Sequence, residues 1–443
     1  MGRLFGTDGV RGVAGEELTA ELACDLGRAA VDVLGRHGEG TPTFVVGRDT
    51  RESGEWLEDA LVEGIRRAGG DVILAGIEPT PAIAYLTTDL GAASGVVISA
   101  SHNPPEYNGI KFFAGNGMKL ADELEDEIES ALADPPGGDH PIGRILASGD
   151  SRDRYIEHIL AAAEAPLDGM SVVVDCANGS ASFLAPEILR GLGATVHPIN
   201  AEPDGTNINL ACGALYPEVV AAEVVRLGAD AGVCLDGDAD RALFSDEQGT
   251  FIDGDQVLAS CAVAMKAAGT LAHNTVVSTV MANLGFYVAM REAGIEVMAT
   301  KVGDRYVLEE MLRVGAVLGG EQSGHVIFRE QATTGDGLLT AVRFLSLAAR
   351  TGGSLQQLAS VMRRYPQVMI NVHVVDRSAV EGTASIWDAV RAAEEALGAG
   401  GRVLVRPSGT EPLIRVMVEA GSEHLARVHA EAIVAVVIAE LGV

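Results

Sequence analysis

A single unit is written three times along this chain: an apolar β-branched run, a helical stretch, a second strand after a glycine, and a third strand ending in a polar loop. The first copy reads Thr43-Phe-Val-Val-Gly47, Gly70-Asp-Val-Ile-Leu74 and Ser94-Gly-Val-Val-Ile98. The second reads Ser171-Val-Val-Val-Asp175, Gly193-Ala-Thr-Val196 and Ala231-Gly-Val-Cys-Leu235; the third reads Thr275-Val-Val-Ser278, Gly294-Ile-Glu-Val-Met298 and Gly315-Ala-Val-Leu318. Short continuous apolar runs alternating with helical pattern predict parallel strands buried by helices on both faces. Leu22, Leu26, Ala29 and Val33, like Leu57, Leu61, Ile65 and Ala68, recur at helical spacing between them. After Tyr365-Pro366 the pattern stops, giving way to a strand at Val368-Met-Ile-Asn-Val-His-Val374, a helix, and a strand and loop around Arg406. With 443 residues, too many for one core, the expected fold is α/β. Three similar α/β domains (1–150, 151–250, 251–366), with mixed or parallel sheets sandwiched by helices, precede a smaller C-terminal α+β domain (367–443). The segment Asp134-Pro-Pro-Gly-Gly-Asp139 reads as a turn rather than a linker.

The formal charge of -30 disfavours nucleic acid and anionic membrane as partners. An anionic substrate would then need a local cationic pocket, which makes clustered arginines worth finding. Five scattered cysteines without CxxC spacing predict neither a disulfide framework nor a zinc site. No apolar run reaches about 18 residues, and Met1 leads into charged, glycine-rich sequence. The expectation is a cytoplasmic protein, monomeric or homo-oligomeric.

Ligands of such sheets bind beyond the carboxyl ends of strands. There the chain places Ser99-Ala-Ser-His-Asn-Pro104, Asp236-Gly-Asp-Ala-Asp-Arg241 and Gly320-Glu-Gln-Ser-Gly-His325. Asp236, Asp238 and Asp240, at alternate positions, suit one hard cation with oxygen ligands. An EF-hand is excluded: Arg241 stands where that loop needs glycine, and both flanks read as strands. Ser101 is a candidate phosphoryl carrier once cations neutralise the transferring group. His102 reads as a base or as a structural hydrogen-bonding residue, and Lys111 as an acid or base or as a surface charge. Gly-x-Ser-x-Gly is absent around Ser101, which argues against an esterase elbow. Glu321, Ser323 and His325 are candidate sugar-binding residues, the first two placed to bind adjacent hydroxyls, or else form an ordinary polar turn. Arg406-Pro-Ser-Gly-Thr-Glu-Pro412 and Arg415 offer an oxyanion cradle of Arg406, Ser408, Gly409, Thr410 and Arg415, or else a surface turn. Neither a Walker loop nor Gly-x-Gly-x-x-Gly is present, so nucleotide use has no support.

These four loops, in this order, resemble those of the α-D-phosphohexomutases, and the resemblance runs from Gly6-Thr-Asp-Gly-Val-Arg-Gly12 to Val416. It implies a small sugar phosphate as substrate and Ser101 as a phosphoserine. It implies Mg2+ held by that phosphate with Asp236, Asp238 and Asp240, and a hexose or glucosamine 1,6-bisphosphate as activator. Arg11 and Lys111 would lie at the reacting centre, Glu321 and Ser323 would hold sugar hydroxyls, and the Arg406 loop would bind the phosphate not being transferred. Gly320–His325, Thr333-Thr-Gly-Asp-Gly337 and Val302-Gly-Asp-Arg-Tyr-Val307 resemble the members that interconvert glucosamine 6-phosphate and glucosamine 1-phosphate. The alternative within the family is the same chemistry on mannose or glucose phosphates. From other classes, a serine-phosphatase-like hydrolase and a silent sugar-phosphate binding protein remain as rivals. One departure is Ala239, where many members have glycine, which bears on the backbone angle between the metal ligands.

Overall fold

The computed structural model describes residues 4–6, 8–35, 40–133, 141–408 and 412–442; the turn expected at 134–139 lies outside them. The first repeat comprises β1 (Val10–Val13), α1 (Ala20–Leu34), β2 (Thr43–Arg48), α2 (Ser53–Arg67), β3 (Asp71–Ile77), α3 (Thr80–Asp89), β4 (Ser94–Ile98), β5 (Tyr107–Ala114), α4 (Asp122–Leu132) and β6 (Ile145–Leu146). After α5 (Ser151–Ala161), the second holds β7 (Ser171–Asp175), α6 (Leu184–Gly191), β8 (Thr195–Ile199), α7 (Pro217–Leu227), β9 (Ala231–Leu235), β10 (Ala242–Asp246) and β11 (Phe251–Ile252). After α8 (Gly254–Ala268), the third holds β12 (Thr275–Thr279), α9 (Leu284–Glu292), β13 (Glu296–Thr300), α10 (Asp304–Val314), β14 (Leu318–Gly320), β15 (Val326–Phe328), α11 (Gly337–Thr351) and α12 (Leu355–Ala359).

The three sheets share one topology. Their orders are β1-β5-β4-β2-β3-β6, β11-β10-β9-β7-β8 and β13-β12-β14-β15. β2 pairs in parallel with β3 and β4, β7 with β8 and β9, and β12 with β13 and β14, while β4, β9 and β14 each pair antiparallel with a return strand. The sheets are therefore mixed, and the polar loops are the bends that turn β4 into β5, β9 into β10 and β14 into β15.

Two departures from the sequence reading have a local cause. The glycines written ahead of the second strands belong to helix ends: Gly193 and Gly294 stand at φ +97° and +64°, and the strands begin at Thr195 and Glu296. Gly315, at φ +73°, likewise caps α10 with its N–H on Met311 O, so β14 starts only at Leu318. A left-handed residue ends a helix more cheaply as glycine than as any other type.

Packing follows the pattern. Thr19 caps α1 by accepting from Leu22 N–H, and Leu26, Ala29, Ala30 and Val33 are buried. Reciprocal glycines press α1 on α2. A Cβ on Gly27 would lie 2.4 Å from Leu61 O, and one on Gly64 2.0 Å from Cys24 O. Residues 1–281 and 294–361 form one compact unit.

Residues 282–293 and 362–443 form the other, so α9, written within the third repeat, belongs with the C-terminal elements. Buried Glu419 explains this, since it accepts from Asn283 Nδ2 and Leu284 N–H. The rest of that unit is β16 (Gln367–His373), α13 (Ala384–Leu397), β17 (Gly401–Pro407), β18 (Leu413–Ala420) and α14 (Glu423–Leu441). The sheet runs β16-β18-β17, antiparallel throughout. Its Val372, Val405, Ile414, Val416 and Val418 pack against Ala426, Ala430, Ile433 and Val437 of α14. Among the described residues, no helix is long and apolar enough to cross a membrane.

Candidate active site

The bends after β4 and β9 meet. Ser101 is buried, its hydroxyl donates to Asp236 Oδ2 at 2.7 Å, and His102 Nδ1 lies 3.2 Å from Ser101 Oγ. Burial, then the nearby Arg241 and Arg11, lowers His102 to about 4, so its imidazole is neutral at physiological pH.

Asp236, Asp238 and Asp240 are all buried, and one oxygen from each lies within 4.8 Å of the others. Burial, then Asp240 and Asp238, pushes Asp236 well up; burial, then Asp240, lifts Asp238 to about 6. Burial acts on Asp240 too, but His325 and Arg241 hold it well below the usual carboxylate range. Asp238 Oδ2 accepts from Thr80 Oγ1 at 2.6 Å, and Asp240 Oδ2 lies 3.4 Å from His325 Nδ1. The other oxygens of Asp238 and Asp240 are buried with no hydrogen-bond partner among the described residues. Three converging buried carboxylates with two unsatisfied oxygens are the donor set a hard divalent cation takes. Mg2+ fits.

Ala239, between two of these ligands, adopts φ +55° and is buried. The departure from glycine is thus accommodated in the left-handed region, at a strain of roughly 1–2 kcal/mol.

A cationic group lies near the triad. Lys111, on β5, is buried, 3.8 Å from Asp304 Oδ2 and 3.9 Å from Asp8 Oδ1. Burial opposes its charge, but Asp304 and Asp8 raise its pKa, so it stays protonated. It is no surface charge. Arg11, on β1 opposite Gly109, lies 3.8 Å from Asp8 Oδ2.

The bend after β14 behaves differently. Glu321 Oε1 accepts from Gly303 N–H at 3.0 Å, and Ser323 Oγ is buried with no partner among the described residues. His325 is buried, and its Nε2 accepts from Gly335 N–H at 3.0 Å while Nδ1 faces Asp240. Asp240, with Asp304 and Glu321 behind it, outweighs burial and pulls His325 up to about 9, which would protonate both nitrogens. The Gly335 hydrogen bond needs a lone pair on Nε2. Its 3.0 Å geometry decides for the neutral ring with the proton on Nδ1. Both nitrogens are therefore directed at groups of the protein, Nε2 at Gly335 and Nδ1 at Asp240.

In the C-terminal unit, Arg406 and Arg415 are register partners on β17 and β18, and both are half-buried. Burial, then Arg415, lowers Arg406. Ser408 is buried, its N–H donating to Leu413 O and its carbonyl accepting from Arg377. Gly409 and Thr410 lie outside the described residues.

Sequence reasoning missed Thr80, Arg241 and Lys119. Lys119 bridges opposite Phe113, its Nζ buried without a hydrogen-bond partner among the described residues. Burial, then Lys111, lowers its pKa. It lines a cavity of about 170 Å³ with Asp304, Arg305, His325, Thr333 and Thr334. The turn Asn116-Gly-Met118, which folds Lys119 back onto β5, was the available signal.

Four family descriptions match the chain in order: phosphoglucomutase/phosphomannomutase alpha/beta/alpha domain I over residues 2–135, domain II over 153–249, domain III over 253–365, and the C-terminal domain over 369–436. The chain is 54% identical over 426 residues to a phosphoglucosamine mutase of Desulforamulus reducens, covering 95% of each. It is 54% identical over 451 residues to that of Frankia alni, covering 100% of this chain and 99% of that one. Among solved structures, a phosphoglucomutase/phosphomannomutase family protein of Burkholderia thailandensis superposes with a TM-score of 0.83 at 26% identity, covering 100% of this chain and 99% of that one. The N-acetylphosphoglucosamine mutase of Aspergillus fumigatus, solved with GlcNAc-6P and magnesium, shares the fold at a TM-score of 0.71 and 18% identity, covering 98% of this chain and 95% of that one.

Proposed function

This chain belongs to the phosphoglucomutase/phosphomannomutase family, and from that premise we propose that it interconverts glucosamine 6-phosphate and glucosamine 1-phosphate by way of a phosphorylated Ser101. The observation that carries the reading is the Ser101 hydroxyl held 2.7 Å from Asp236, within a buried carboxylate triad at the end of a neighbouring sheet. The similarity to phosphoglucosamine mutases over nearly the whole chain supports the amino sugar.

In the first transfer the phosphorus–Oγ bond of phospho-Ser101 breaks as a sugar hydroxyl oxygen bonds to phosphorus, giving a sugar bisphosphate. The proton lost by the sugar hydroxyl equals the one gained at Ser101 Oγ, so the step is proton-neutral, and neutral His102, with Nδ1 3.2 Å from Oγ, is the group in reach to take it up and pass it on. The bisphosphate turns round and returns its other phosphoryl group to Ser101. Asp236, Asp238 and Asp240 would hold Mg2+, which when bound neutralises charge on the transferring group. Protonated Lys111 and Arg11 add fixed positive charge, Glu321 and Ser323 take sugar hydroxyls, and Arg406, Ser408, Gly409, Thr410 and Arg415 grip the phosphate at rest. A hexose or glucosamine 1,6-bisphosphate would prime an enzyme that has lost its phosphoryl group.

The test is to incubate the protein with magnesium, a trace of glucose 1,6-bisphosphate and either glucosamine 6-phosphate or mannose 6-phosphate, and to measure 1-phosphate formation. Turnover of the amino sugar in clear preference is expected. Preference for mannose 6-phosphate would move the chain to the other branch, and free phosphate without isomer would make it a hydrolase.

A further inference from the structure

Ser101 stands in a conformation that few serines adopt, at φ +50°. Such backbone persists where its surroundings over-determine it. Here a closed ring of hydrogen bonds does so. The Ser101 N–H donates to Ser99 Oγ at 3.0 Å, and the Ser99 hydroxyl donates to Asp49 Oδ2. The same Asp49 oxygen accepts from Arg51 Nε at 2.9 Å, and Arg51 Nη2 donates to Ser101 O at 3.1 Å. Both peptide groups of one residue are thus tied to one ion pair, whose side chains are 0% exposed.

The guanidinium holds more of the loop than Ser101. Nη2 also reaches Asn103 O at 2.8 Å, while Nη1 reaches Tyr107 O at 2.9 Å and Pro104 O. All five of its N–H donors are spent, four of them on carbonyls of a single bend. From the second repeat, Asn209 Nδ2 donates to the same two carbonyls, Ser101 O at 2.8 Å and Asn103 O at 3.1 Å. The approach between the repeats is close: a Cβ on Gly237 would lie 2.6 Å from Ser101 O and 2.8 Å from Asn209 Nδ2.

We propose that Arg51 and Asn209 are positioning residues that clamp the Ser101 carbonyl from two repeats and so keep Oγ aimed at the aspartate loop through both phosphoryl transfers. The inference rests on the reading of Ser101 as the phosphoryl carrier. A carrier that serves two ends of a turning substrate needs one fixed line of attack, and small misplacements of reacting groups cost about 100-fold in rate. Lysine could not replace the arginine, because an ammonium donates from one point and cannot span five acceptors.

The experiment uses full-length Arg51→Lys and Asn209→Asp variants with magnesium. It follows Ser101 phosphorylation by glucose 1,6-bisphosphate using intact mass, and kcat and KM for glucosamine 6-phosphate. Asn209→Asp suits the left-handed backbone of that position (φ +58°) while removing the donor. It carries the test alone if Arg51→Lys does not fold. Phosphorylation rate and kcat should fall together, by about 100-fold for Arg51→Lys and about 10-fold for Asn209→Asp, with KM changed by no more than about 2-fold. A merely structural role would lower the melting temperature without separating kcat from KM. A folded Asn209→Asp enzyme phosphorylated at the wild-type rate, or a loss confined to KM, would overturn the clamp. A wild type that is phosphorylated on Ser101 yet leaves glucosamine 6-phosphate untouched would overturn the substrate reading only. The clamp would then be decided by the phosphorylation rates.

Discussion

The aspartate triad of the second repeat and the arginine pair of the C-terminal unit are crowds of like charge with opposite sign. Asp236, Asp238 and Asp240 press three carboxylates together at alternate positions of one bend. Arg406 and Arg415 stand as direct register partners on neighbouring strands, and Arg415 helps to lower Arg406. Like charges at such range cost free energy unless a counter-charge joins them. The triad is buried and its members have shifted apart, with Asp236 up and Asp240 down. The arginines are half-buried, and burial, then Arg415, lowers Arg406. The difference bears on the kind of ligand each crowd would take in the mechanism proposed above. A buried, partly protonated set suits a small cation that stays, whereas a half-exposed pair suits an anion that comes and goes with substrate.

In the mechanism proposed above the triad acts on the phosphoryl group that moves and the arginines on the phosphate that stays, so removing the carrier, Ser101, should have the largest effect. Ser101→Ala should cut turnover by on the order of 10⁴-fold or more and abolish the added phosphate seen by intact mass. Full activity in that variant would break the comparison at its root. Next comes the triad. Asp238→Asn and Asp240→Asn should each cost about 100- to 1000-fold, and the double variant little more, because one lost ligand already spoils the coordination sphere. Magnesium should raise the melting temperature of wild type, by about 2.7 kcal/mol of stability at 100 times its Kd, and not that of either variant. Normal activity of the variants in chelator would mean that no cation is needed.

Glu78 separates the effect of crowding from that of burial. It is a single buried carboxylate with Oε2 unpartnered among the described residues, and burial, then Arg152 and Glu187 in opposite senses, lifts it to about 7. Against an ordinary value of 4.5, the sign is clear. Below pH 4.5 the group is neutral in folded and unfolded chains and costs nothing. Above pH 7 it is charged in both, and the buried charge costs about 3 kcal/mol. Glu78→Gln should therefore stabilise the protein at pH 8, with the gain shrinking as pH falls through 7 and vanishing near 4.5. Denaturant melts at these pH values, with and without magnesium, check it. A gain that depended on magnesium would show that Glu78 belongs with the triad.

What could be read in the sequence divides along the same line as the two crowds. The triad, Ser101 and the threefold repeat were legible because spacing along one segment encodes them. The facing of Arg406 and Arg415 was not, because it depends on the register of β17 against β18. Nor were Thr80, which holds Asp238 from 158 residues away, and Arg51, whose partners lie about 50 residues on. His325 was grouped with Glu321 and Ser323 because its loop is polar; that its nitrogens meet Asp240 and Gly335 is a tertiary fact. The membership of α9 in the C-terminal unit rests on Glu419, far along the chain.

The smallest effect expected is at the arginines, and it decides whether one anchor serves both ends of the substrate. The enzyme has one Ser101 and must act at the 1-position and the 6-position, so whichever end is remote carries a phosphate at some stage. Two half-buried arginines in register offer a fork for that phosphate in either orientation, since a phosphate presents equivalent oxygens whichever carbon bears it. Arg415→Ala should lose a charge-assisted contact worth about 1.5–3 kcal/mol, which is roughly 10- to 100-fold in kcat/KM. It should also relieve the repulsion on Arg406. Ser101 should still be phosphorylated, because the carrier lies in the other unit. The decisive measurement is the Kd of each monophosphate for the Ser101→Ala protein with and without Arg415→Ala, because the equilibrium constant fixes the ratio of kcat/KM in the two directions. Equal losses of affinity for glucosamine 6-phosphate and glucosamine 1-phosphate are the signature of a shared anchor. A large loss for one with none for the other would give each end its own anchor, and the arginine crowd would then be half of a pair still to be located.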